Sequence, residues 1–345
     1  MKSCTIYFLC VFLLFTLFTQ EALGWNCKGH MAVAEIARRH LSEENQQKVN
    51  KIALSFSESG PFLESVDFVQ AACWPDDLKS WHMFAMKSWH YIDLPYSPDN
   101  TSVNNCDVQH MNVISAIQSM IAALRVKKSP AYVLNFALVN LVHFIGDIHQ
   151  PLHTTTRYAK NHPHGDAGGN TFFIFSDGLK LSLHKLWDDI CIPHYKPLKR
   201  PLSNKDYADL KVYVDYLEHI YTFDSALLEE VNIETFAMES HAFGINTTYV
   251  GINEGEELSG KYLVSCQIVA EARLTLAGYR LANILNTLLD NIDLSQYSKK
   301  KYHKPGTNLI INEKKHQKSI KKPESNKRKV KNWNFGKFFF PQILQ

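Results

Sequence analysis

Residues 143–153, with the sequence HFIGDIHQPLH, contain three histidines and one aspartate between apolar neighbours. The preceding run, residues 132–142, is rich in apolar side chains and indicates a buried helix. In that helix His143 and Asp147 stand at positions i and i+4, so both side chains lie on one face. This helix is therefore expected at the centre of the fold, with a polar pair inside the core.

Pro151 ends the predicted helix near Gln150, and His153 follows on a turn that leaves the same end. Buried imidazole and carboxylate groups require partners, because burying them unpaired is costly in free energy. A divalent metal would bind all of them. The alternative is a His–Asp pair that is satisfied inside a helical core.

The composition is that of an ordinary soluble globular protein, with 345 residues, 45% of them hydrophobic and 21% charged. The length allows one large domain or two. The formal net charge is +3, but lysines are concentrated near the C-terminus, so the body is closer to neutral. We predict one domain over residues 25–297 and a basic, disordered tail over residues 298–345, where lysine runs show little periodicity.

The N-terminus has the features of a secretory signal peptide over residues 1–24. Lys2 is followed by an apolar run, residues 6–18, that is short for a membrane span. Residues 22–24 (Ala-Leu-Gly) place small side chains at a cleavage site, which would make Trp25 the mature N-terminus. We therefore expect a secreted or periplasmic protein, with an uncleaved anchor as the alternative.

Five cysteines follow the predicted signal peptide, at positions 27, 73, 106, 191 and 266. An odd number in an exported protein leaves at least one thiol free or paired between chains. No CxxC spacing occurs, which argues against a cysteine zinc site. One or two disulfides are expected, and their connectivity stays open.

Helical periodicity covers most of the body and predicts a mainly α fold. The predicted helices lie at about residues 30–41, 42–55, 63–72, 110–126, 132–150, 205–220, 224–241 and 260–290. Asp177-Gly178 between two apolar runs predicts a small β-hairpin. Residues 89–95 are predicted to be extended, and Pro75 is expected to break the chain so that a turn presents Asp76.

Eight imidazole and carboxylate side chains are candidate metal ligands: His30, Asp76, His90, His143, Asp147, His153, His184 and Asp188. Nitrogen and oxygen donors of this kind suit hydrolytic zinc sites. Eight ligands exceed one site and indicate several metals. Two metals about 3.5–4 Å apart, bridged by a carboxylate, are the usual arrangement for phosphoester hydrolysis.

Seven short motifs follow one another along the chain: residues 25–30 (WNCKGH), 74–76 (WPD), 90–93 (HYID), 143–153, 168–170 (GGN), 184–188 (HKLWD) and 278–283 (GYRLAN). Together they resemble the class I nucleases, the zinc-dependent, single-strand-preferring nuclease and 3′-nucleotidase family. A single His-x-x-x-Asp is weak evidence, whereas the ordered set is specific. The resemblance extends from Trp25 to about Leu289 and implies the helical fold shared with bacterial zinc phospholipase C.

The resemblance implies three zinc ions per chain. Asp76, His90, His143 and Asp147 would hold the first ion. Asp147 would bridge to a second, which His30 and the free amine and carbonyl oxygen of Trp25 would complete. The third ion would be held by His153, His184 and Asp188.

The resemblance also implies a mechanism. A water shared by the paired zinc ions, with its pKa lowered to roughly 7, would attack phosphorus in line, with Asp76 and Asp147 holding the ions. The third zinc would stabilise the leaving 3′-oxygen. Lys79 stands where the family has a basic residue that stabilises the charge developing in the transition state. The alternative for Lys79 is a solvated surface lysine.

Tyr91 and Asp93 match the family's base pocket, where a ring stacks on an unpaired base and a carboxylate accepts from base N–H groups. Asn170 is expected near the phosphate, although turn formation alone would explain it, and Tyr91 could instead be a core residue. His149 matches no ligand position, so we expect it to support a ligand or contact phosphate.

The sequence therefore predicts a secreted zinc-dependent endonuclease acting on single-stranded RNA and DNA, with 3′-nucleotidase activity, working as a monomer. A zinc phospholipase C is a second enzyme hypothesis, which shares the metal set but lacks the base pocket. A non-catalytic polyanion-binding protein that uses the basic tail is a third. The family's cysteine near residues 246–248 is missing here, which leaves the partner of Cys106 open.

Overall fold

The computed structural model describes residues 24–60, 62–103 and 108–298 of the chain. The predicted signal peptide before Gly24, Cys106, and the tail from residue 299 onward lie outside these residues. Within them the protein is mainly helical with two small sheets, which confirms the predicted fold class.

Eleven α-helices occur in the described residues: α1 Cys27–Arg39, α2 Glu43–Glu58, α3 Phe68–Ala71, α4 Trp74–Ser80, α5 Val113–Arg125, α6 Ala131–Asp147, α7 Leu183–Asp188, α8 Asn204–Ile220, α9 Ser225–Glu229, α10 Ile233–Phe243 and α11 Gly260–Leu289. Three 3-10 turns add Lys87–His90, Pro151–His153 and Ser295–Ser298, and a π-helical turn covers Gly244–Thr248. None of these helices is long and apolar enough to cross a membrane.

The core forms where three helices meet. The long helix α11 packs along α1, while α6 packs against α1, α2, α5 and α11. From Ala137 to Asp147 every residue of α6 is buried, so this helix has no solvent-facing side in its second half. A helix buried all round must place its polar residues inside the protein, and this fixes the position of the site.

Two short strand pairs complete the fold. The predicted hairpin is confirmed: β3 (Phe173–Ser176) pairs antiparallel with β4 (Leu179–Ser182). Its turn residues Asp177 and Gly178 both have positive φ, 52° and 75°, as a type I′ turn requires. The second pair, β1 (Pro95–Tyr96) with β2 (Thr156–Arg157), is parallel and holds the segments after His90 and His153 side by side.

Some local predictions were wrong. Asp76 is not on a turn but inside α4, because Pro75 occupies the first turn of that helix, where its missing N–H costs no hydrogen bond. The helix predicted over residues 224–241 is divided into α9 and α10 by residues 230–232. The segment predicted as extended begins as the 3-10 turn Lys87–His90 and becomes extended only after it.

Two disulfides link the helices, as expected from the cysteine count. Cys27 at the start of α1 is bonded to Cys73, which directly precedes α4, with a Cα–Cα distance of 5.3 Å. Cys191, just after α7, is bonded to Cys266 in α11, with a Cα–Cα distance of 5.8 Å. Such bonds form in oxidising compartments and are typical of exported proteins.

We expect Gly278→Ala to destabilise the fold by about 1–3 kcal/mol, the usual cost of overpacking a core. Gly278 lies where α11 crosses α1, and an added Cβ would lie 2.6 Å from the Cβ of Ile36 and 3.1 Å from the carbonyl oxygen of Val33. Gly260→Ala is the matched control, because the same helix begins there and nothing lies within 4 Å. Urea unfolding of both variants measures the difference, and equal stability would contradict the close crossing.

Candidate metal centre

The end of α6 brings the first two candidate ligands together. The Nε2 atom of His143 lies 3.1 Å from Oδ2 of Asp147, one helical turn further on. Nδ1 of His143 lies 2.7 Å from the carbonyl oxygen of Ala72. Because a carbonyl only accepts, Nδ1 carries the hydrogen and donates it, and a neutral His143 would present the Nε2 lone pair to its neighbours.

Three other segments bring side chains to the same point. His30 Nε2, from α1, lies 3.5 Å from Asp147 Oδ1 and 3.9 Å from Asp76 Oδ2 of α4. His90, at the end of its 3-10 turn, places Nδ1 2.9 Å from Asp147 Oδ2. Two overlapping groups of possible ligands share His143, and we call the five residues His30, Asp76, His90, His143 and Asp147 the paired cluster.

A third group of possible ligands lies beside it. His153, from the 3-10 turn after α6, places Nε2 3.7 Å from Asp188 Oδ1, and His184 Nε2 lies 3.4 Å from Asp188 Oδ2. His184 and Asp188 are one turn apart on α7, as the i, i+4 spacing predicts. We call His153, His184 and Asp188 the third cluster; its possible ligand atoms lie within 4.8 Å of one another.

Backbone carbonyls orient the imidazoles of the third cluster as well. Nδ1 of His153 donates to the carbonyl oxygen of His90 at 2.7 Å, and Nδ1 of His184 donates to that of Gly168 at 2.6 Å. Both bonds direct Nε2 into the cluster. Histidines that ligate metals are usually held in this way by their second nitrogen.

These side chains fit a metal. Six of their polar atoms are buried and have no hydrogen-bond partner in the described part of the chain: Nδ1 and Nε2 of His30, Oδ1 of Asp147, Nε2 of His153, Nε2 of His184 and Oδ2 of Asp188. Folded proteins leave few buried polar atoms unpaired, because each one costs free energy. In the third cluster the three unpaired atoms belong to one group of possible ligands, and in the paired cluster His30 Nε2 lies 3.5 Å from Asp147 Oδ1. Such nitrogen and oxygen atoms form a donor set that divalent cations bind.

The paired cluster holds a carboxylate that stays ionised and an imidazole that keeps a proton. Burial by itself raises the pKa of Asp147, but the neighbouring His143 and His153 hold that pKa well below its usual range. Burial lowers the pKa of His143, yet the carboxylates of Asp147 and Asp76 raise it to about 10. Without a metal, the proton on His143 compensates part of the buried negative charge.

The pKa values of His90 and Asp188 shift in the opposite direction to those of His143 and Asp147. Burial, assisted by the cation of Lys79, lowers the pKa of His90 to about 4, so that imidazole is neutral. Burial raises the pKa of Asp188 well above its usual range, although His184 opposes this. Each cluster therefore contains a group that binds a proton more tightly than it does in water.

Lys79 is a buried lysine, with 6% of its surface exposed, and not a solvated surface residue. Its Nζ atom donates to Asp76 Oδ1 at 2.9 Å. Lys79 follows Asp76 by one turn of α4, so the helix that presents the carboxylate also presents the cation. This places a positive charge at the edge of the paired cluster.

The predicted substrate residues lie close to the clusters along the chain. Tyr91 directly follows His90, Asp93 stands three residues after it, and both are half-buried. The Asp93 carboxylate accepts hydrogen bonds from the side chains of Thr156 and Gln109. Asn170 is half-exposed and donates to the carbonyl oxygen of Ala167 at 2.8 Å, in the turn whose Gly168 carbonyl accepts from His184.

His149 points away from both clusters. Its Nδ1 atom donates to the carbonyl oxygen of Ile145 at 2.8 Å, and its Nε2 atom accepts from Arg280 at 3.1 Å. Arg280 is fully buried and also bonds Glu239. These bonds support the C-terminal end of α6 rather than a phosphate. His149 and Arg280 are 131 residues apart, so no local sequence pattern could predict their contact.

Gly24 and Trp25 border the paired cluster. A Cβ added to Gly24 would lie 2.0 Å from Asp147 Oδ1 and 2.9 Å from His30 Nε2, so only glycine fits there. Trp25 is fully buried, and its indole nitrogen donates to the carbonyl oxygen of Gly146 at 2.9 Å. The next residue, Asn26, donates its backbone N–H to the carbonyl oxygen of Asp188 at 2.8 Å.

The fold and the site together define a class of protein. It is a mainly α protein with two adjacent groups of histidines and aspartates that could hold metal ions. The family model for S1/P1 nuclease matches residues 25–290. Endonuclease 4 of Arabidopsis thaliana is 30% identical over 295 residues, which cover 81% of this chain and 94% of that protein. Nuclease S1 of Aspergillus oryzae is 28% identical over 288 residues, with 78% and 93% covered.

Nuclease P1 of Penicillium citrinum is 31% identical over a shorter stretch of 175 residues, 48% of this chain and 57% of that protein. The matches to endonuclease 4 and nuclease S1 extend over nearly the whole length of those two proteins. The chain belongs to the S1/P1 nuclease family, which confirms the resemblance found in its motifs. Its relatives are nucleases, enzymes that hydrolyse phosphodiester bonds.

We expect metal binding to release protons at neutral pH. The folded metal-free protein keeps a proton on His143 below its pKa of about 10, whereas a metal requires the free lone pair. Since that pKa lies above the unfolded value of 6.5, His143 stabilises the metal-free fold below pH 6.5, and this contribution is lost as pH rises through about 10. Metal affinity should therefore rise with pH between about 7 and 10.

Calorimetric titration of zinc in buffers of different ionisation enthalpy measures the proton release. His143→Gln, which cannot hold the proton, should release about one proton fewer, while the exposed His110→Gln should match the wild type. Zinc binding without proton release at pH 7 would contradict the raised pKa of His143.

Proposed function

We propose that the mature protein is a secreted, zinc-dependent endonuclease that hydrolyses single-stranded RNA and DNA and also acts on 3′-nucleotides. The observation that carries the proposal is the pair of adjacent clusters, whose unpaired nitrogen and oxygen atoms face one another inside a nuclease fold. Two disulfides support export. The domain would comprise residues 25–297, and the enzyme would act as a monomer.

The proposed metal content is three zinc ions. Asp76, His90, His143 and Asp147 would hold one ion, and His153, His184 and Asp188 another. The remaining ion would be held by His30, by Asp147 as a bridge, and by the amine and carbonyl oxygen of Trp25. His30 Nε2 lies within 4.0 Å of carboxylate oxygens of both Asp76 and Asp147. This position supports His30 as a ligand of an ion that Asp147 would share.

Cleavage after Gly24 has a chemical role in this proposal. While Gly24 is attached, the nitrogen of Trp25 is an amide and has no lone pair to offer, and Gly24 itself lies against Asp147 and His30. Removing residues 1–24 creates an amine and clears that space. The buried indole of Trp25, bonded to Gly146, would keep the new terminus at the paired cluster.

Zinc bound at these clusters would supply a Lewis acid that makes water nucleophilic near neutral pH and neutralises charge on the phosphate. Asp147 and Asp76 would stay ionised for this purpose, because both pKa values lie well below the usual range. Lys79 would place its ammonium group beside the phosphoryl oxygens and stabilise the charge that develops on them. Its bond to Asp76 keeps that cation oriented before the substrate arrives.

Single-strand preference would come from the segment that follows His90. Tyr91 would stack on a base, and Asp93 would accept hydrogen bonds from base N–H groups, as an unpaired base allows. Thr156 and Gln109 already bond the Asp93 carboxylate and would fix its orientation. Asn170, in the turn beside His184, would contact the phosphate.

Asp147→Ala should lower kcat/KM on single-stranded DNA by more than about 100-fold, beyond the loss usual for residues that only orient ligands. Asp209→Ala, an exposed aspartate of α8 paired with Lys205, is the matched control and should leave activity unchanged. Chelation should abolish hydrolysis and zinc should restore it. The proposal fails if the zinc-loaded mature protein cleaves neither nucleic acid nor a 3′-nucleotide; hydrolysis of phosphatidylcholine instead would favour the phospholipase C alternative.

A protein that retains Gly24 before Trp25 should bind one zinc fewer than a protein that begins at Trp25. The two differ by one glycine without a side chain, so folding should be unaffected while the terminal amine moves out of position. Metal analysis of both proteins, with the N-termini sequenced, makes the comparison. Equal zinc content would remove Trp25 from the ligand set and leave the other assignments standing.

A further inference from the structure

The two disulfides lie close in sequence to residues of the paired and third clusters. Cys27 precedes His30 by three residues, Cys73 precedes Asp76 by three, and Cys191 follows Asp188 by three. Three residues are about one helical turn, with a rise of roughly 4.5 Å. Cys27 and Cys73 thus stand about one helical turn before a residue of the paired cluster. Cys191 stands three residues after Asp188, just beyond the end of α7.

The Cys27–Cys73 bond joins the two segments that bring His30 and Asp76 to the paired cluster. Asp76 lies in α4, which has only 7 residues and begins after Cys73 without a side-chain cap. A helix of that length is not stable by itself, so its attachments determine where Asp76 lies. The disulfide fixes the N-terminal end of α4 against the start of α1, which carries His30.

The Cys191–Cys266 bond has the corresponding place at the third cluster. Helix α7 carries both His184 and Asp188 and has 6 residues. The chain leaves it through Ile190 and Cys191, two non-glycine residues with φ of 56° and 57°, a left-handed conformation that side chains with a Cβ rarely adopt. Cys266 is buried in the 30-residue helix α11, so the bond holds this strained exit, and with it α7, against the longest helix of the described chain.

We propose that each disulfide positions the ligands of one cluster: Cys27–Cys73 holds His30 and Asp76 in place for the paired cluster, and Cys191–Cys266 holds Asp188 and His184 in place for the third. This rests on the zinc sites of the proposed function. A disulfide that acts only by restricting the unfolded chain would stabilise the whole fold and affect both clusters alike. A positioning disulfide has a selective effect on its own cluster.

Two double variants test the proposal, Cys27→Ala/Cys73→Ala and Cys191→Ala/Cys266→Ala, each as the mature chain and each a control for the other. Zinc affinity is measured by competition with graded chelators, well below the midpoint of thermal unfolding. The first variant should bind the ions of the paired cluster about 10–100-fold more weakly and keep the ion of the third cluster. The second should show the reverse.

Hydrogen exchange of the metal-free proteins gives a readout that needs neither zinc nor activity. Loss of the first disulfide should increase exchange in α4 and at the start of α1, and loss of the second in α7. If both variants lose affinity equally at all sites, or neither loses any, the positioning role is wrong. If the wild-type protein binds no zinc, the proposed function itself has failed, and the exchange pattern still tests which segment each disulfide holds.

Should a variant not fold, wild-type protein reduced in graded steps with a phosphine and then alkylated provides the same comparison. Native mass spectrometry reports the zinc ions bound, and peptide mapping reports which disulfide is open. Molecules in which only Cys27–Cys73 is open should lack ions of the paired cluster and retain that of the third. The same zinc content whichever disulfide is open would overturn the proposal.

Discussion

The burial of Asp147 is the constraint on which the rest of the structure depends. Its carboxylate is fully buried at the end of α6, where an unpaired charge would cost several kcal/mol. Imidazoles from three other segments meet it: His30, His90 and His153 all place a ring nitrogen within 3.5 Å. Their segments lie far apart in the sequence, so the fold must be arranged around this one charged group.

The clusters are connected by backbone hydrogen bonds as well as by neighbouring side chains. The carbonyl oxygen of His90, a member of the paired cluster, accepts from His153 of the third, and the backbone N–H of Ile92 donates to the carbonyl oxygen of His153 at 2.8 Å. The parallel pairing of β1 with β2 continues this contact. A shift of the segment after His90 or of the segment after His153 would therefore move a ligand of each cluster. The small parallel sheet thus helps to hold both clusters.

The sequence predicted the residue pairs that share a helix better than the contacts between distant segments. The i, i+4 spacing placed His143 with Asp147 and His184 with Asp188, because helical geometry is local. Asp76 was assigned to a turn because a proline precedes it, although the first turn of a helix accepts proline. The carbonyl of Ala72, which orients His143 across 71 residues, and the pairing of the cysteines depend on tertiary packing, which no local pattern contains.

The distribution of charge explains how the clusters could exist before a metal binds. In the paired cluster two carboxylates, Asp76 and Asp147, remain ionised, and two positive groups oppose them, Lys79 and the protonated His143. The metal-free fold is thus compensated by a proton at the position where a metal would bring positive charge. Metal ions bound at the paired cluster would displace this proton in a site whose side chains already lie close together, so less reorganisation would be required than if the ligands had to be gathered from an open chain.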